Sequence, residues 1–277
     1  MSNAVSGLPR PYNAQSLERG LLALALLRDS PRGELGLTEL ARELGLHKST
    51  VHRLLATLVR HDYVAQDPTT KRYRLGLGFL EPAHQAVEHL DVRRCALRPM
   101  HALAQESGES VYLNVPAGSR ALCIDEVVGP QGVTLGSNVG VALPLHATAT
   151  GKCFLTWMPD ADVDRVLGKD GLEAVTGHTI RDRELLLATL ERVRAQGYAV
   201  NDEETESGVR YAAAPIFDER GRVAASISVG APVLRVGRDD LPRLAVAVKV
   251  AAARISAALG YRTAHGWTGS AGEAAAT

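Results

Sequence analysis

The chain has 277 residues, 45% of them hydrophobic and 22% charged, with 31 Lys and Arg balanced by 31 Asp and Glu. That length suits two domains, and the composition is that of a globular chain rather than a disordered one. No secretory segment follows Met1, the apolar face over Leu17–Leu27 is too short to span a bilayer, and the three cysteines (Cys95, Cys123, Cys153) lack CxxC spacing; a cytoplasmic protein without membrane contact, disulfides or a zinc knuckle is expected, with the thiols in buried apolar roles.

In chain order, residues 1–13 carry Gly7, Pro9 and Pro11 and no apolar period, which predicts a mobile arm. A first helix follows, with Ser16 as its cap, Glu18 near its positive end and Leu17, Leu21, Leu24 and Leu27 as its buried stripe. Next comes LTELARELGLHKSTVHRLLATLVRHDYV, Leu37 to Val64, which reads as two short amphipathic helices about a glycine turn. Thr38 is the expected N-cap of the first, and Gly45 supplies the positive φ that a sharp turn needs. The second helix, Lys48 to His61, turns Val51, Leu54, Leu55 and Leu58 inward. Ala41, Gly45, Val51 and Leu54 have the spacing of a helix-turn-helix.

The outer face of that second helix carries Lys48, Ser49, Thr50, His52 and Arg53 and no carboxylate, so phosphates and base edges would meet only donors and neutral groups. VAQD, a turn at Pro68 and KRYRL then read as a two-stranded wing bearing Lys71, Arg72 and Arg74. Residues 44–80 hold six Lys or Arg against two Asp, a local basic patch on a neutral chain and the footprint of one DNA-binding face.

Beyond the wing, the pattern is helical to about Ser107 but interrupted at Pro82, read as a first-turn proline, and at Pro99; Leu97, Met100, Leu103 and Ala104 are expected inward. SVYLNV and RALCIDEVV flank PAGS as a hairpin, and GVTLGSNVG is a third strand. ATATGKCFLTWM is a helix with Phe154, Leu155 and Met158 on one side and Pro159 as its stop. Thr179 opens another with capping-box spacing, striped by Leu186, Leu190 and Val193 up to Gly197. YAVN, VRYAAAPIF and VAASISVG are strands, the last two joined by DERG, and a closing helix carries Leu244, Val248, Ala251, Ile255 and Leu259. The sum is an α+β chain of two domains, the second a mixed sheet of about six strands flanked by helices.

Chemistry-bearing motifs are few. ATATGKC lacks the earlier glycine and the hydroxyl of a phosphate loop. Its small residues, Ala147 to Gly151, suit either a helix N-terminus that approaches a carboxylate or close helix-on-sheet packing. NDEETES, 201–207, is read as a solvated acidic loop rather than a metal site. His146 could serve as a base, yet no nucleophile has a partner at recognisable spacing, and no cofactor is implied. Trp157 is a core or interface residue and Trp267 a tail residue.

SLERGLLALALL, the helix-turn-helix run, RYRLG, LPLHATATGK, NDEE, GVRYAAAPIFDERGRV and ISVGAP, in that order over about residues 14–262, resemble the IclR family of bacterial transcriptional regulators. His47 departs from the pattern, where proline is common, and a less rigid helix entry is expected. The resemblance implies a winged helix-turn-helix over 12–78, a linker helix over 79–94, a GAF-like effector-binding domain over 95–262 and a disordered tail over 263–277. It implies dimer contacts by the first helix, a homodimer or dimer of dimers, double-stranded operator DNA as partner and a small organic acid as effector.

Matched by motif, the ligand positions are Ala149, Thr150, Asn201, Tyr211, Ser228 and Gly230. Against the glyoxylate- and pyruvate-binding pattern of the best-known member, Asn201 replaces an acid, Tyr211 a small thiol and Gly230 a serine, which implies a different ligand. The rivals are an enzyme acting on a small carboxylate with an accessory DNA-binding domain, and a module that sets its basic helix on an acidic protein.

Overall fold

The computed structural model describes residues 14–131, 138–168 and 172–262. The expected N-terminal arm, the tail from 263 with Trp267 and most of the strand expected over 132–140 lie outside the described residues. The chain divides into two compact units between Ala86 and Val87. No described helix is long and apolar enough to cross a membrane.

The first unit holds α1 (Gln15–Asp29), α2 (Leu37–Glu43), α3 (Lys48–Arg60), β1 (Val64–Gln66) and β2 (Tyr73–Leu75). Leu27, Leu40, Ala41, Val51, Leu55, Val64 and Tyr73 form its core, so every element contributes at least one buried apolar side chain. Two expected caps move outward by one turn or less. α1 begins after Ala14 without a side-chain cap, leaving Ser16 inside the first turn. α2 begins after Gly36, whose N–H donates to the Glu39 carboxylate at 2.6 Å, so the reach-back glutamate does the work expected of Thr38.

The stripe of α1 also turns. Gly20, Ala23 and Leu27 are buried, whereas Leu17, Leu21 and Leu22 are 64%, 58% and 51% exposed; small residues, not the leucine period, face the neighbours closely. Gly45 has φ +63°, with its N–H on the Arg42 carbonyl at 3.1 Å and that of Leu46 on the Ala41 carbonyl at 3.0 Å, the paired bonds that close a helix at a left-handed glycine. His47 caps α3: its Nδ1 accepts from the Ser49 N–H at 3.4 Å and lies 2.8 Å from the Ser49 hydroxyl. β1 and β2 pair antiparallel, and Leu35 bridges to Tyr73 as a third, single-residue strand.

Between the units, α4 (Leu80–Glu88) carries Pro82 in its first turn, and α5 (Asp91–Ser107) begins the second unit's packing. α5 continues past Pro99, where a break is expected, although Pro99 has no N–H to donate to the Cys95 carbonyl. Met100, Leu103 and Ala104 are buried, but Leu97 is 40% exposed.

The second unit is a six-stranded sheet, built from β3 (Ser110–Ala117), β4 (Arg120–Val127), β5 (Ala142–Pro144), β6 (Ala199–Asp202), β7 (Val209–Phe217) and β8 (Val223–Pro232) in the order β5-β4-β3-β8-β7-β6. All described pairs are antiparallel, so the sheet is not mixed. Four of the five pairs join strands adjacent in sequence, and such neighbours pair antiparallel without a crossover helix.

Alternation along the strands sorts side chains to two layers. Val111, Leu113, Ala212, Ala214, Ile227 and Val229 face α5 and α9 (Leu241–Ala258), which supply Met100, Leu103, Val248 and Ile255. The other layer is α6 (Ala149–Trp157), α7 (Asp160–Leu167) and α8 (Arg183–Gln196), packed through Phe154, Leu155, Val163, Leu186 and Leu190. The short α7 is not legible in the sequence pattern. α8 is capped by Asp182, whose carboxylate accepts from the Leu185 N–H at 2.8 Å, while Thr179 instead donates to the Glu204 carbonyl at 2.7 Å and ties a loop.

Candidate DNA-reading face and ligand cavity

α3 buries Val51 and Leu55 and leaves Lys48, Ser49, His52 and Arg53 exposed, with Thr50 half-buried at its first turn. On the wing, Lys71 and Arg74 are exposed, and Lys71 holds a left-handed φ of +58° at the turn. The turn is built by Asp67, whose Oδ1 accepts from the Thr69 and Thr70 N–H groups at 2.8 and 2.7 Å; these bonds, Thr70 first, hold its carboxyl below the ordinary range. Gly76 fixes the wing's base, because a Cβ there would stand 2.0 Å from the Asp62 carbonyl oxygen. Arg72 differs from the other candidates. It pairs with Glu34 and Glu39 at 2.8 Å each and is turned into the domain rather than offered to a phosphate.

In the second unit, the motif-matched residues fall on neighbouring rows of the sheet. Asn201, Tyr211, Gly230 and Ser110 stand opposite one another across β6, β7, β8 and β3, and Ser228 pairs with Tyr112 one step along. Above these rows lies a cavity of about 230 Å³ lined by Ala149, Thr150, Asn201, Tyr211 and Ser228. Gly230 does not line it but shapes it: a Cβ there would meet Tyr211 Cε1 at 2.4 Å and Tyr112 Cε2 at 3.1 Å, so its absence lets both rings lie across β8. The sequence reading misses Tyr112, Asn114, Cys123, Thr148 and Glu206, which also line it. Strand register brings Tyr112, Asn114 and Cys123 there, the α6 cap Thr148, and the β6–β7 segment Glu206.

The N-terminus of α6 opens on this cavity. Ala149 packs beside Tyr211 and Ala213, and Trp157 at the other end meets Phe217 edge-on at 5.4 Å, so the helix runs away from the cavity along β7. Thr148 caps it, accepting from the Gly151 N–H at 2.9 Å, and the first backbone bond is Lys152 N–H to the Thr148 carbonyl at 3.0 Å. The N–H groups of Ala149 and Thr150 precede that bond and have no protein acceptor among the described residues. Gly151 serves the packing half of the motif, since a Cβ there would lie 2.1 Å from the Leu145 carbonyl oxygen.

The acidic segment is only partly solvated: Glu206 and Ser207 are exposed, but Asn201 and Glu204 are buried. Asn201 is 1% exposed and its amide is committed: Nδ2 donates to the Ala147 carbonyl at 2.7 Å and the Thr205 hydroxyl at 2.9 Å, and Oδ1 accepts from the Glu204 N–H at 2.8 Å. Glu204, 7% exposed, meets Lys152 of α6 at 2.5 Å in a buried ion pair. Burial pushes the Lys152 ammonium down and the Glu204 carboxyl up, each opposed by the partner's charge. The pair therefore clamps α6 to the segment that frames one side of the cavity.

Burial pushes the Cys123 and Cys153 thiols up to about 12, far from the thiolate, and His146 Nε2 is held 2.8 Å from the Glu173 carbonyl oxygen. No cluster of three potential metal ligands exists among the described residues.

Comparison with known proteins identifies the family of both domains. Residues 16–68 match the IclR helix-turn-helix domain and residues 84–257 the bacterial transcriptional regulator IclR C-terminal domain. The chain is 34% identical over 247 residues to the HTH-type transcriptional regulator XynR of Escherichia coli K12, covering 89% of this chain and 98% of that protein. It is 32% identical over 259 residues to the transcriptional repressor IclR of the same strain, covering 93% and 94%. The crystal structure of an IclR transcriptional regulator from Alicyclobacillus acidocaldarius superposes with a TM-score of 0.77 at 32% identity, over 90% of this chain and all of that one. The chain belongs to the IclR family of DNA-binding transcriptional regulators, which places it among regulators rather than enzymes.

Proposed function

We propose that this regulator responds to a small organic acid, held as its carboxylate at the N-terminus of α6, and that the acid alters how a cytoplasmic two-fold oligomer reads its operator. The observation that carries the reading is the pair of unused N–H groups of Ala149 and Thr150 on a cavity whose wall includes Ser228 and Tyr211. A helix N-terminus favours an anion, and the rings supply apolar wall for the acid's body. No Lys or Arg lines the cavity among the described residues, so backbone donors carry the anion site. The acid shifts operator binding only by its preference for one arrangement of the DNA-reading domains over another.

The DNA side is tested by a footprint of the purified protein on its own upstream DNA. Arg53→Ala loses ~1 to 3 kcal/mol of specific binding when the guanidinium reads a guanine, whereas Lys71→Ala weakens all sequences alike and flattens the salt dependence. Unchanged operator affinity and specificity in both folded variants would sink the assignment of these residues. The ligand side is tested by calorimetric titration of wild type and Ser228→Leu with aliphatic and aromatic acids alongside operator binding. A variant that keeps full affinity for the acid that moves wild-type operator binding places the ligand elsewhere.

A further inference from the structure

We infer that His47 is a phosphate contact of the recognition helix: its Nδ1 is held by the start of α3, and its Nε2–H is left to donate to an oxygen of the DNA backbone. The inference rests on the reading of α3 as the DNA-reading helix and adds to that face a neutral residue outside the helix itself.

The ring is fixed from one side only. His47 is the N-cap of α3, at φ −66° and ψ 142°, and its Nδ1 accepts from the Ser49 N–H at 3.4 Å and lies 2.8 Å from the Ser49 hydroxyl. A backbone N–H only donates, so Nδ1 is the bare nitrogen of the neutral ring and the proton sits on Nε2. Nε2 has no hydrogen-bond partner among the described residues, and the side chain is exposed. The ring is therefore an oriented donor with nothing yet to donate to.

Its surroundings select the acceptor. Ser49 holds the ring against the first turn of α3, whose Lys48, Ser49, His52 and Arg53 are exposed. Residues 44–61 contain no Asp or Glu, so no carboxylate of this stretch competes for the proton. Glu43, just before them, pairs with Arg42 at 2.8 Å, and Asp62 lies beyond the far end of α3. The positive end of the helix dipole favours an anion at the same place, and helix starts with neutral side-chain donors are ordinary contacts to phosphate. Such a contact adds affinity without adding charge, which separates it from those of Lys71 and Arg53.

The experiment takes the two ring nitrogens apart. His47→Ser keeps a cap for the first turn but cannot reach as far as Nε2, whereas His47→Gln carries an amide nitrogen out to about the Nε2 position and gives up the cap. Wild type and both variants, as full chains, are titrated on the upstream DNA that wild type protects, and on copies with one neutral methylphosphonate at each backbone position in turn. His47→Ser melts as wild type but binds about tenfold more weakly, with the slope of log affinity against log salt unchanged. His47→Gln is less stable, yet its folded form binds within about threefold of wild type. At least one methylphosphonate weakens wild type more than it weakens His47→Ser. A residue that only caps the helix gives the reverse order of the two variants. That order, equal binding by all three proteins, or one methylphosphonate pattern shared by wild type and His47→Ser overturns the inference and leaves α3 on the DNA. Absence of any upstream site protected by wild type overturns the DNA reading itself, and this inference with it.

Discussion

Arg72 shows how far a residue type predicts a role. Next to Lys71 and Arg74 on a basic strand it reads as a phosphate contact, but its guanidinium joins Glu34 and Glu39, which sit 38 and 33 residues upstream. Composition reveals the charge of a side chain and is silent on which partner the fold brings to it. Arg72→Ala is therefore expected to lower the melting temperature of the DNA-binding domain while leaving operator specificity and the salt slope as in wild type, and the double variant with Glu39→Ala adds little to it. A variant of unchanged stability with a flatter salt dependence would return Arg72 to the phosphates. Asn201 teaches the same lesson in the second domain, where a cavity-lining motif position also ties down the Ala147 carbonyl, the Glu204 N–H and the Thr205 hydroxyl around it. Gly230 is the converse, a position whose contribution is the space left for two rings.

Elements were legible in the sequence wherever an apolar period was strong, and their ends were not. α3, α8 and the strands β7 and β8 stand where their stripes and alternation place them, but the helix starts shifted: α1 begins after Ala14 and α2 after Gly36 without a side-chain cap, and α8 is capped by Asp182 rather than Thr179. The cavity was half legible for a different reason. Its α6 and β7–β8 residues lie in motifs, whereas Tyr112, Cys123 and Glu206 enter through the register of β3 on β8 and β4 and through the β6–β7 segment, which no local pattern encodes. The wing turn allows a pH test of one element. Asp67 in the folded state lies below its ordinary value, so the charged carboxylate contributes stability above about pH 4, and that contribution is lost as pH falls through the folded value. Asp67→Asn should thus be less stable than wild type near neutrality, with the gap closing toward about pH 3. Wild type and variant melting in parallel across that range would show that the two backbone bonds do not depend on the charge.

For the molecule as a whole, the unexplained feature of the first domain is the outer face of α1. Leu17 and Leu21 are more than half exposed although they continue the leucine period of a helix whose buried side is lined by Gly20, Ala23 and Leu27. Two such residues, one turn apart, with Leu22 beside them, make an apolar strip that a lone domain leaves in water. One recognition helix covers only a few base pairs, so a regulator that gains affinity and specificity by pairing half-sites needs a surface that fixes the spacing of two copies. The proposal that this strip is part of such a surface unites the two observations. Leu17→Glu with Leu21→Glu should leave the fold intact, since neither side chain is in the core, yet shift the sedimenting species toward monomer. Operator affinity should fall by about tenfold or more, because the second head no longer arrives at the raised effective concentration that linkage gives it, while acid binding in the cavity, which lies wholly in the second unit, persists. A variant that sediments as wild type and keeps its operator affinity would show that the oligomer is held by other surfaces and that the exposed leucines serve no contact between copies.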